Sequence, residues 1–104
     1  MSEFNNVTVI REANIYFNGL VTSHTILFSD GTKKTLGVMQ PGEFKFTTGL
    51  PEIMEILSGD LDLKIGDEDG WHRIDAGESF EVPENMTFIM KVNKVSDYCC
   101  SFIG

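Results

Sequence analysis

Histidine and cysteine are the side chains best suited to nucleophilic or metal chemistry at neutral pH, and the sequence holds only two of each. His24 and His72 lie far apart in the chain, whereas Cys99 and Cys100 are direct neighbours. Adjacent strand residues point to opposite faces of a sheet, so we expect two reduced thiols rather than a disulfide. Zinc-type cysteine spacing, phosphate-binding glycine loops and the G-x-S-x-G turn are all absent from the sequence. These four residues therefore indicate no metal site and no catalytic triad.

A glutamate, two glycines and a proline recur at more informative spacings. Six residues separate Glu52 from Gly59, and five separate Gly77 from Pro83. These spacings, in this order, resemble the two motifs of cupins, in which the first pair closes one hairpin and the second pair opens the next. The resemblance implies an all-β fold, a single-domain cupin or RmlC-like jelly-roll barrel.

The sequence departs from metal-binding cupins at the ligand positions. Those proteins carry a His-x-His pair a few residues before the glutamate and a further histidine after the proline. Here residues 46–51 read Phe-Thr-Thr-Gly-Leu-Pro, and Phe88 stands near the position of the later histidine. Oxygen-activating metals require imidazole together with carboxylate ligands, so Glu52 alone would not hold one firmly. The sequence thus argues against a metal-dependent oxygenase.

Turn-forming residues divide the chain into short segments. Pairs such as Asn18-Gly19, Asp30-Gly31 and Pro41-Gly42 recur about every 7 to 12 residues, a spacing typical of sandwiches and barrels. Asp30-Gly31 lies between two β-type segments and predicts a two-residue hairpin turn. We expect about nine strands, enough to close a barrel and remove exposed sheet edges.

Apolar and polar residues alternate within these segments, as in residues 61–65. Alternation with period two predicts antiparallel strands that bury one face. Residues 53–57 also fit helical spacing, but Pro51 and Gly59 bound a run too short to be stable as a helix. We therefore predict a strand there.

The charge balance limits the partners of this protein. Sixteen acidic and eight basic residues give a net charge of −8, which argues against binding to nucleic acid or to an anionic membrane. No apolar run approaches the roughly 20 residues of a membrane span, and the first 14 residues lack a signal-peptide core. We expect a cytoplasmic protein in which residues 1–13 form an N-terminal extension and residues 14–104 the barrel.

The short motifs together resemble one narrower family of small cupins, the pyrimidine/purine nucleoside phosphorylases. The resemblance covers residues 14–103 and is most specific at residues 14–19 (Asn-Ile-Tyr-Phe-Asn-Gly) and 37–43 (Gly-Val-Met-Gln-Pro-Gly-Glu). It implies a homodimer that converts a nucleoside and inorganic phosphate to free base and ribose 1-phosphate. This reaction is a pentosyl transfer, and the resemblance implies broad specificity for the base and no metal or organic cofactor.

Phosphorolysis requires a phosphate site, a partner for the ribose hydroxyls, a stacking surface for the base and a proton donor for its departure. We take as catalytic candidates Glu52, Tyr16 and His24. As substrate-binding candidates we take Glu43, Phe46, Thr47, Thr48, Arg73 and Phe88. Further candidates for the phosphate site are Lys33, Lys34 and Lys45, and for base stacking Trp71.

Two other functions fit the same sequence. A non-catalytic cupin would bind a small nucleoside-like or sugar-like ligand, and the scarcity of acid–base pairs favours this reading. A structural module would act through its dimer surface alone. The aromatic candidates would then pack the barrel interior, as side chains of small barrels commonly do.

Overall fold

The computed structural model describes residues 2–103, which form eleven β-strands and one short 3-10 turn at Phe17–Gly19. The strands are β1 (Thr8–Val9), β2 (Asn14–Tyr16), β3 (Val21–Leu27), β4 (Lys33–Met39), β5 (Gly42–Thr47), β6 (Glu52–Ser58), β7 (Asp60–Ile65), β8 (His72–Asp75), β9 (Ser79–Val82), β10 (Thr87–Val92) and β11 (Ser96–Phe102). The predicted all-β fold is confirmed.

The strands form two antiparallel sheets. The larger sheet has the order β1-β3-β4-β11-β6-β9, with β2 also pairing with β3, and the smaller sheet has the order β5-β10-β7-β8. Neighbours such as β4 and β11 are distant in sequence, and from β4 to β11 the chain passes repeatedly from one sheet to the other. This is the jelly-roll arrangement that the cupin motifs predicted.

Gly59 marks the passage of the chain from one sheet to the other. It stands between β6 of the larger sheet and β7 of the smaller one, with φ +86°. A Cβ atom at this position would come within 2.6 Å of the Val95 carbonyl oxygen. Both the left-handed backbone and the close approach require glycine, which explains the spacing between Glu52 and Gly59.

The hairpin between β3 and β4 differs from the predicted two-residue turn. The Phe28 amide donates to the Thr32 carbonyl at 2.9 Å, and the Gly31 amide donates to the Phe28 carbonyl at 3.0 Å. Three residues therefore form the loop, and Gly31 has φ +90°. A three-residue loop with glycine in the left-handed region is the next most common hairpin after the two-residue turns.

Two other local predictions have clear outcomes. The ambiguous segment around residues 53–57 is a strand, β6, as predicted. The chain forms eleven strands rather than about nine. β1 and β2 span only two and three residues, which is too short for alternation to reveal them.

The core lies between the two sheets. Met39 and Ile56 from the larger sheet and Leu61 and Met90 from the smaller sheet are almost completely buried. Met39 and Met90 also line a cavity between the sheets. Among residues 2–103, no helix is long and apolar enough to cross a membrane.

Candidate functional site

A cavity of about 230 Å³ lies between the sheets and is lined in part by core residues such as Met39 and Met90. Sites for drug-sized ligands usually measure about 300–1,000 Å³, so this cavity suits a small ligand. Its exposed lining residues, Tyr16 and Thr47, mark the mouth. Two chemically different walls enclose it.

The larger sheet supplies a polar wall. Ser23 on β3, Thr35 on β4, Tyr98 and Cys100 on β11 and Glu52 on β6 all line the cavity. Hydroxyl, thiol and carboxyl groups thus converge on one side of the space. Such groups would hydrogen-bond a ligand rich in hydroxyls and fix its orientation.

The opposite wall is aromatic. Phe46 on β5 and Phe88 on β10 are cross-strand partners with ring centroids 6.0 Å apart and planes inclined by 25°. Tyr16 meets the edge of the Phe46 ring, with centroids 5.5 Å apart. Flat apolar faces of this kind stack on planar rings.

The 3-10 turn after β2 holds this aromatic group in place. Phe17 has φ +51° and Asn18 φ +55°, two left-handed residues in succession. The turn brings the Phe17 ring within 5.1 Å of Phe44 and 5.4 Å of Phe46, measured between centroids. The motif at residues 14–19 therefore closes one side of the cavity.

Glu52 is the carboxyl group of the cavity, and it is half-buried. The Cys100 thiol donates a hydrogen bond to its Oε1 atom at 3.4 Å. Burial raises the pKa of Glu52, and the bond from Cys100 offsets only part of that effect. The carboxyl group therefore holds its proton to higher pH than an exposed glutamate does.

The other titratable groups of the polar wall stay neutral. Burial raises the pKa of Tyr98 to about 12, so its hydroxyl is a hydrogen-bond donor at neutral pH. Burial, reinforced by the nearby Glu52 carboxyl, raises the pKa of the Cys100 thiol as well. A thiol held in this form is a poor nucleophile, so Cys100 acts as a donor in this wall.

Five of the nine residues predicted from the sequence come together in the cavity. Glu52 and Thr47 stand on opposite walls, and the Thr47 hydroxyl lies 2.9 Å from that of Thr87. The other three are the aromatic residues Tyr16, Phe46 and Phe88. The predicted carboxyl group and stacking surface thus face the same space.

The other four predicted residues lie outside the cavity lining. His24 and Glu43 are exposed, on β3 and β5. The Thr48 hydroxyl is buried, donates to the Pro83 carbonyl at 2.6 Å and accepts from the Met86 amide at 3.0 Å. It joins the end of β5 to the turn before β10.

Arg73 lies on β8, where its guanidinium group is occupied by carboxylates. Nη2 is 3.2 Å from Asp60 Oδ1, and Nε is 3.1 Å from Asp75 Oδ1. Trp71, a further stacking candidate, is also outside the cavity lining, with the ammonium groups of Lys64 and Lys91 over its ring. Neither residue contacts the cavity, and their roles in the reaction stay predictions.

The sequence reasoning missed four polar lining residues, Ser23, Thr35, Tyr98 and Cys100. A signal was present, because Tyr98, Cys100 and Phe102 alternate along β11 and share one face of it. That strand is central in the larger sheet, between β4 and β6. Both of its thiols are free, as expected, and both are buried, but only Cys100 faces the cavity.

Within residues 2–103, no three or more histidine, cysteine, aspartate or glutamate side chains cluster so as to hold a metal ion. The cavity instead combines a stacking surface, neutral donors and one carboxyl group with a raised pKa. This arrangement can hold a small molecule made of a flat ring and a hydroxylated portion, and can pass a proton to it.

Comparison with known proteins places this chain among named relatives. The profile of the pyrimidine/purine nucleoside phosphorylase family matches residues 11–102. A protein of Trichlorobacter lovleyi named pyrimidine/purine nucleoside phosphorylase is 69% identical over 104 residues, covering 100% of both chains.

Solved structures agree on the architecture. A protein of unknown function from an Acinetobacter species has a TM-score of 0.94 at 47% identity, covering 97% of this chain and 98% of its own. An RmlC-like cupin from Shewanella frigidimarina has a TM-score of 0.70 at 13% identity, covering 97% of this chain and 86% of its own. The latter likeness concerns the fold alone.

Proposed function

Because this chain belongs to the pyrimidine/purine nucleoside phosphorylase family, we propose that it transfers ribose from purine and pyrimidine nucleosides to inorganic phosphate. The single observation that carries the proposal is the half-buried Glu52 carboxyl group, which faces an aromatic wall across a small cavity. The base stacks on Phe46 and Phe88, and the ribose hydroxyls bond to the polar wall. The products are the free base and ribose 1-phosphate.

The chemical step balances with Glu52 as the acid. An oxygen of hydrogenphosphate forms a bond to C1′ while the bond from C1′ to the base nitrogen breaks. The electron pair leaves with the base, which takes the proton of the Glu52 carboxyl group. The phosphate hydroxyl group releases its proton to water, and Glu52 regains one from water, so no other reactant is consumed. The sugar carries positive charge as the bond stretches, and the neutral hydroxyls of the polar wall orient it.

The reaction proceeds without a metal ion in this proposal. Among the described residues that line the cavity, Glu52 and Cys100 are the only His, Cys, Asp or Glu side chains, and oxygen-activating metal sites of cupins use imidazole together with carboxylate. Treatment with a chelator should leave the rate of base release unchanged. A rate that falls on chelation and returns with an added divalent ion would contradict this part of the proposal.

We further propose that the protein works as a cytoplasmic homodimer. Ile15, Phe17 and Leu20, in and next to the motif at residues 14–19, are all exposed apolar residues, with Ile15 67% exposed. Exposed apolar surface of this kind is typical of contact sites between proteins. Two-fold pairs are the most common form of oligomer.

The test is release of free base, resolved by chromatography. Purified protein is incubated with uridine, inosine or adenosine, with and without phosphate. We expect base only when phosphate is present, and a loss of about 100-fold or more in Glu52→Gln, because a general acid contributes that much or more. Glu55→Gln, which alters another carboxyl group of β6, is the matched control and should keep the wild-type rate.

Three other outcomes would change the interpretation. Base released equally without phosphate indicates hydrolysis. An unchanged rate in Glu52→Gln removes that residue from the reaction. Protein that is stabilised by a nucleoside but releases no base is a binding module, since a ligand that binds only the folded state raises its stability without turnover.

A further inference from the structure

The cavity has no positively charged side chain in its described lining that could bind an anionic substrate. No lysine or arginine is among its described lining residues. The whole chain carries a net charge of −8, so its overall field repels phosphate. A phosphate site in this protein therefore needs a local cation that reaches the cavity from its edge.

Most of the eight cationic side chains are engaged elsewhere. Arg73 and Lys94 pair with the buried Asp60, at 3.2 Å and 3.6 Å. The ammonium groups of three others lie over aromatic rings outside the cavity lining; these are Lys34, Lys64 and Lys91.

Two further cations also point or lie away from the cavity. Lys45 alternates on β5 with Phe44 and Phe46, which face the interior, so it faces outward. Arg11 belongs to the exposed segment between β1 and β2 and is not in the cavity lining.

Lys33, the remaining cation, stands on the inner face of β4. Side chains at every second position of a strand share one face, and Thr35 and Met39 line the cavity. Gly37 lies between Thr35 and Met39 on the same face, and the Tyr98 ring packs directly against it. Lys33 continues this series by one step toward the open end of the barrel.

Its ammonium group lies against the cavity edge. Lys33 Nζ is 4.9 Å from the centroid of the Phe102 ring, and Phe102 lines the cavity. Ser101 pairs with Lys34 in the register of β11 and β4, so the next residue, Phe102, lies beside Lys33. The partner of Phe102 on the other side is Glu52.

Lys33, Phe102 and Glu52 thus form one row across three neighbouring strands. Strands are about 4.8 Å apart, so the backbones of Lys33 and Glu52 are about 10 Å apart along the wall that the larger sheet forms. A cation stands at one end of this row and a proton donor at the other. This separation fits phosphorolysis, because phosphate approaches C1′ on the side opposite to the departing base.

We propose that Lys33 binds the phosphate substrate at the mouth of the cavity. The inference rests on the proposed function, because phosphorolysis is the reaction that needs a cation beside its phosphate substrate. The ammonium group offsets the charge of the entering anion and directs one phosphate oxygen toward C1′. Lys33 takes no part in proton transfer to the base, which belongs to Glu52.

Lys34 provides a matched control, because it is adjacent to Lys33, has the same charge and lies over the Phe4 and Phe28 rings instead. We expect Lys33→Gln to raise the KM for phosphate about 10- to 100-fold, with the KM for nucleoside unchanged, because a bond to a charged group is lost. Lys33→Arg should restore most of the affinity. Lys34→Gln and Arg11→Gln should behave as wild type.

Binding of inorganic phosphate alone separates this inference from the proposed function. We expect phosphate to raise the melting temperature of the wild type and of Lys34→Gln but not of Lys33→Gln. That result supports the Lys33 site even if no nucleoside is cleaved, in which case only the proposed function fails. The inference is overturned if phosphate does not stabilise the wild type, if Lys33→Gln keeps wild-type phosphate binding and KM, or if Arg11→Gln alone loses them.

Discussion

The Cys100 thiol donates a hydrogen bond to the Glu52 carboxyl group, with Sγ 3.4 Å from Oε1, and the two residues lie diagonally across β11 and β6. Cys100 pairs with Met54 in this register, and Glu52 pairs with Phe102. Because burial raises the pKa of the Cys100 thiol, sulfur keeps its proton and remains the donor. One carboxyl oxygen thus accepts a hydrogen bond from the protein, and in the proposed reaction the other carries the proton that passes to the base.

This bond predicts how the pH dependence of the reaction changes in Cys100 variants. The bond lowers the pKa of Glu52 against the larger effect of burial, so Cys100→Ala should raise that pKa further. An acid that acts in its protonated form loses activity as pH rises through its pKa. The alkaline limb of the kcat/KM profile should therefore move to higher pH in Cys100→Ala and stay near the wild-type position in Cys100→Ser, which keeps a donor.

Cys99 supplies the control for this experiment. It is buried on the other face of β11 and does not line the cavity, so Cys99→Ala should leave the pH profile in place. If the two alanine variants shift the profile equally, or if neither does, the bond to Glu52 has no role in setting the proton affinity of the acid.

Glu52 also predicts a pH dependence of stability. Its pKa is higher in the folded protein than in the unfolded chain, chiefly because burial disfavours the charged form. Its contribution to stability is therefore fully present below the unfolded pKa of about 4.5 and is lost as pH rises through the folded pKa. The free energy of unfolding of Glu52→Gln, relative to wild type, should increase between pH 4 and pH 7.

Denaturant unfolding of both proteins at several pH values measures this difference. The subtraction cancels the contributions of the other carboxyl groups, which are the same in both proteins. A difference that stays constant across this pH range would mean that Glu52 is as well solvated in the folded state as in the unfolded one.

The proposed dimer should dissociate when a charge is placed at the exposed residue Ile15. Ile15→Lys places a charge among the exposed apolar residues of the segment 15–20, and burying an unpaired charge at an interface is strongly unfavourable. Light scattering should give the mass of two chains for the wild type and of one chain for this variant. Leu57→Lys, a change at another exposed apolar residue, should remain dimeric.

The sequence predicted the parts of the site that local patterns define. Gly59 has a left-handed backbone at the crossing between sheets, so the spacing from Glu52 to Gly59 reflects a physical requirement that is visible in the sequence. Phe46 alternates with the polar residues Lys45 and Thr47, and Phe88 recurs at every second position with Met90 and Val92, which placed both rings inside the barrel although Ile89 interrupts the second pattern. These predictions depend only on residues within a few positions of one another.

The missed parts depend on long-range pairing. Tyr98, Cys99 and Cys100 are all buried, so both faces of this part of β11 carry residues suited to the interior. The sequence pattern therefore does not show which face meets the cavity. Arg73 was a candidate for phosphate because it is a cation in a barrel strand. The structure pairs it with Asp60, thirteen positions earlier, which no local pattern shows.

Gly37 on β4 has no room for a side chain, because the Tyr98 ring occupies the space where one would stand. A Cβ atom at this position would lie 2.7 Å from the Tyr98 ring and would overlap the Thr22 carbonyl oxygen. The backbone of β4 is hydrogen-bonded on both sides, to β3 and β11, so it cannot move away without breaking these bonds. Gly37→Ala should therefore lower the free energy of unfolding by about 1–3 kcal/mol. It should also displace Tyr98 from the polar wall and raise the KM for nucleoside.

Gly49 offers the matched control. No heavy atom lies within 4 Å of the position that a Cβ atom would take there, so Gly49→Ala should change neither stability nor KM appreciably. Chemical denaturation and steady-state kinetics of both variants measure the two effects. If Gly37→Ala is as stable as Gly49→Ala, the close approach of Tyr98 to β4 is not a feature of the folded protein, and the polar wall must be arranged differently.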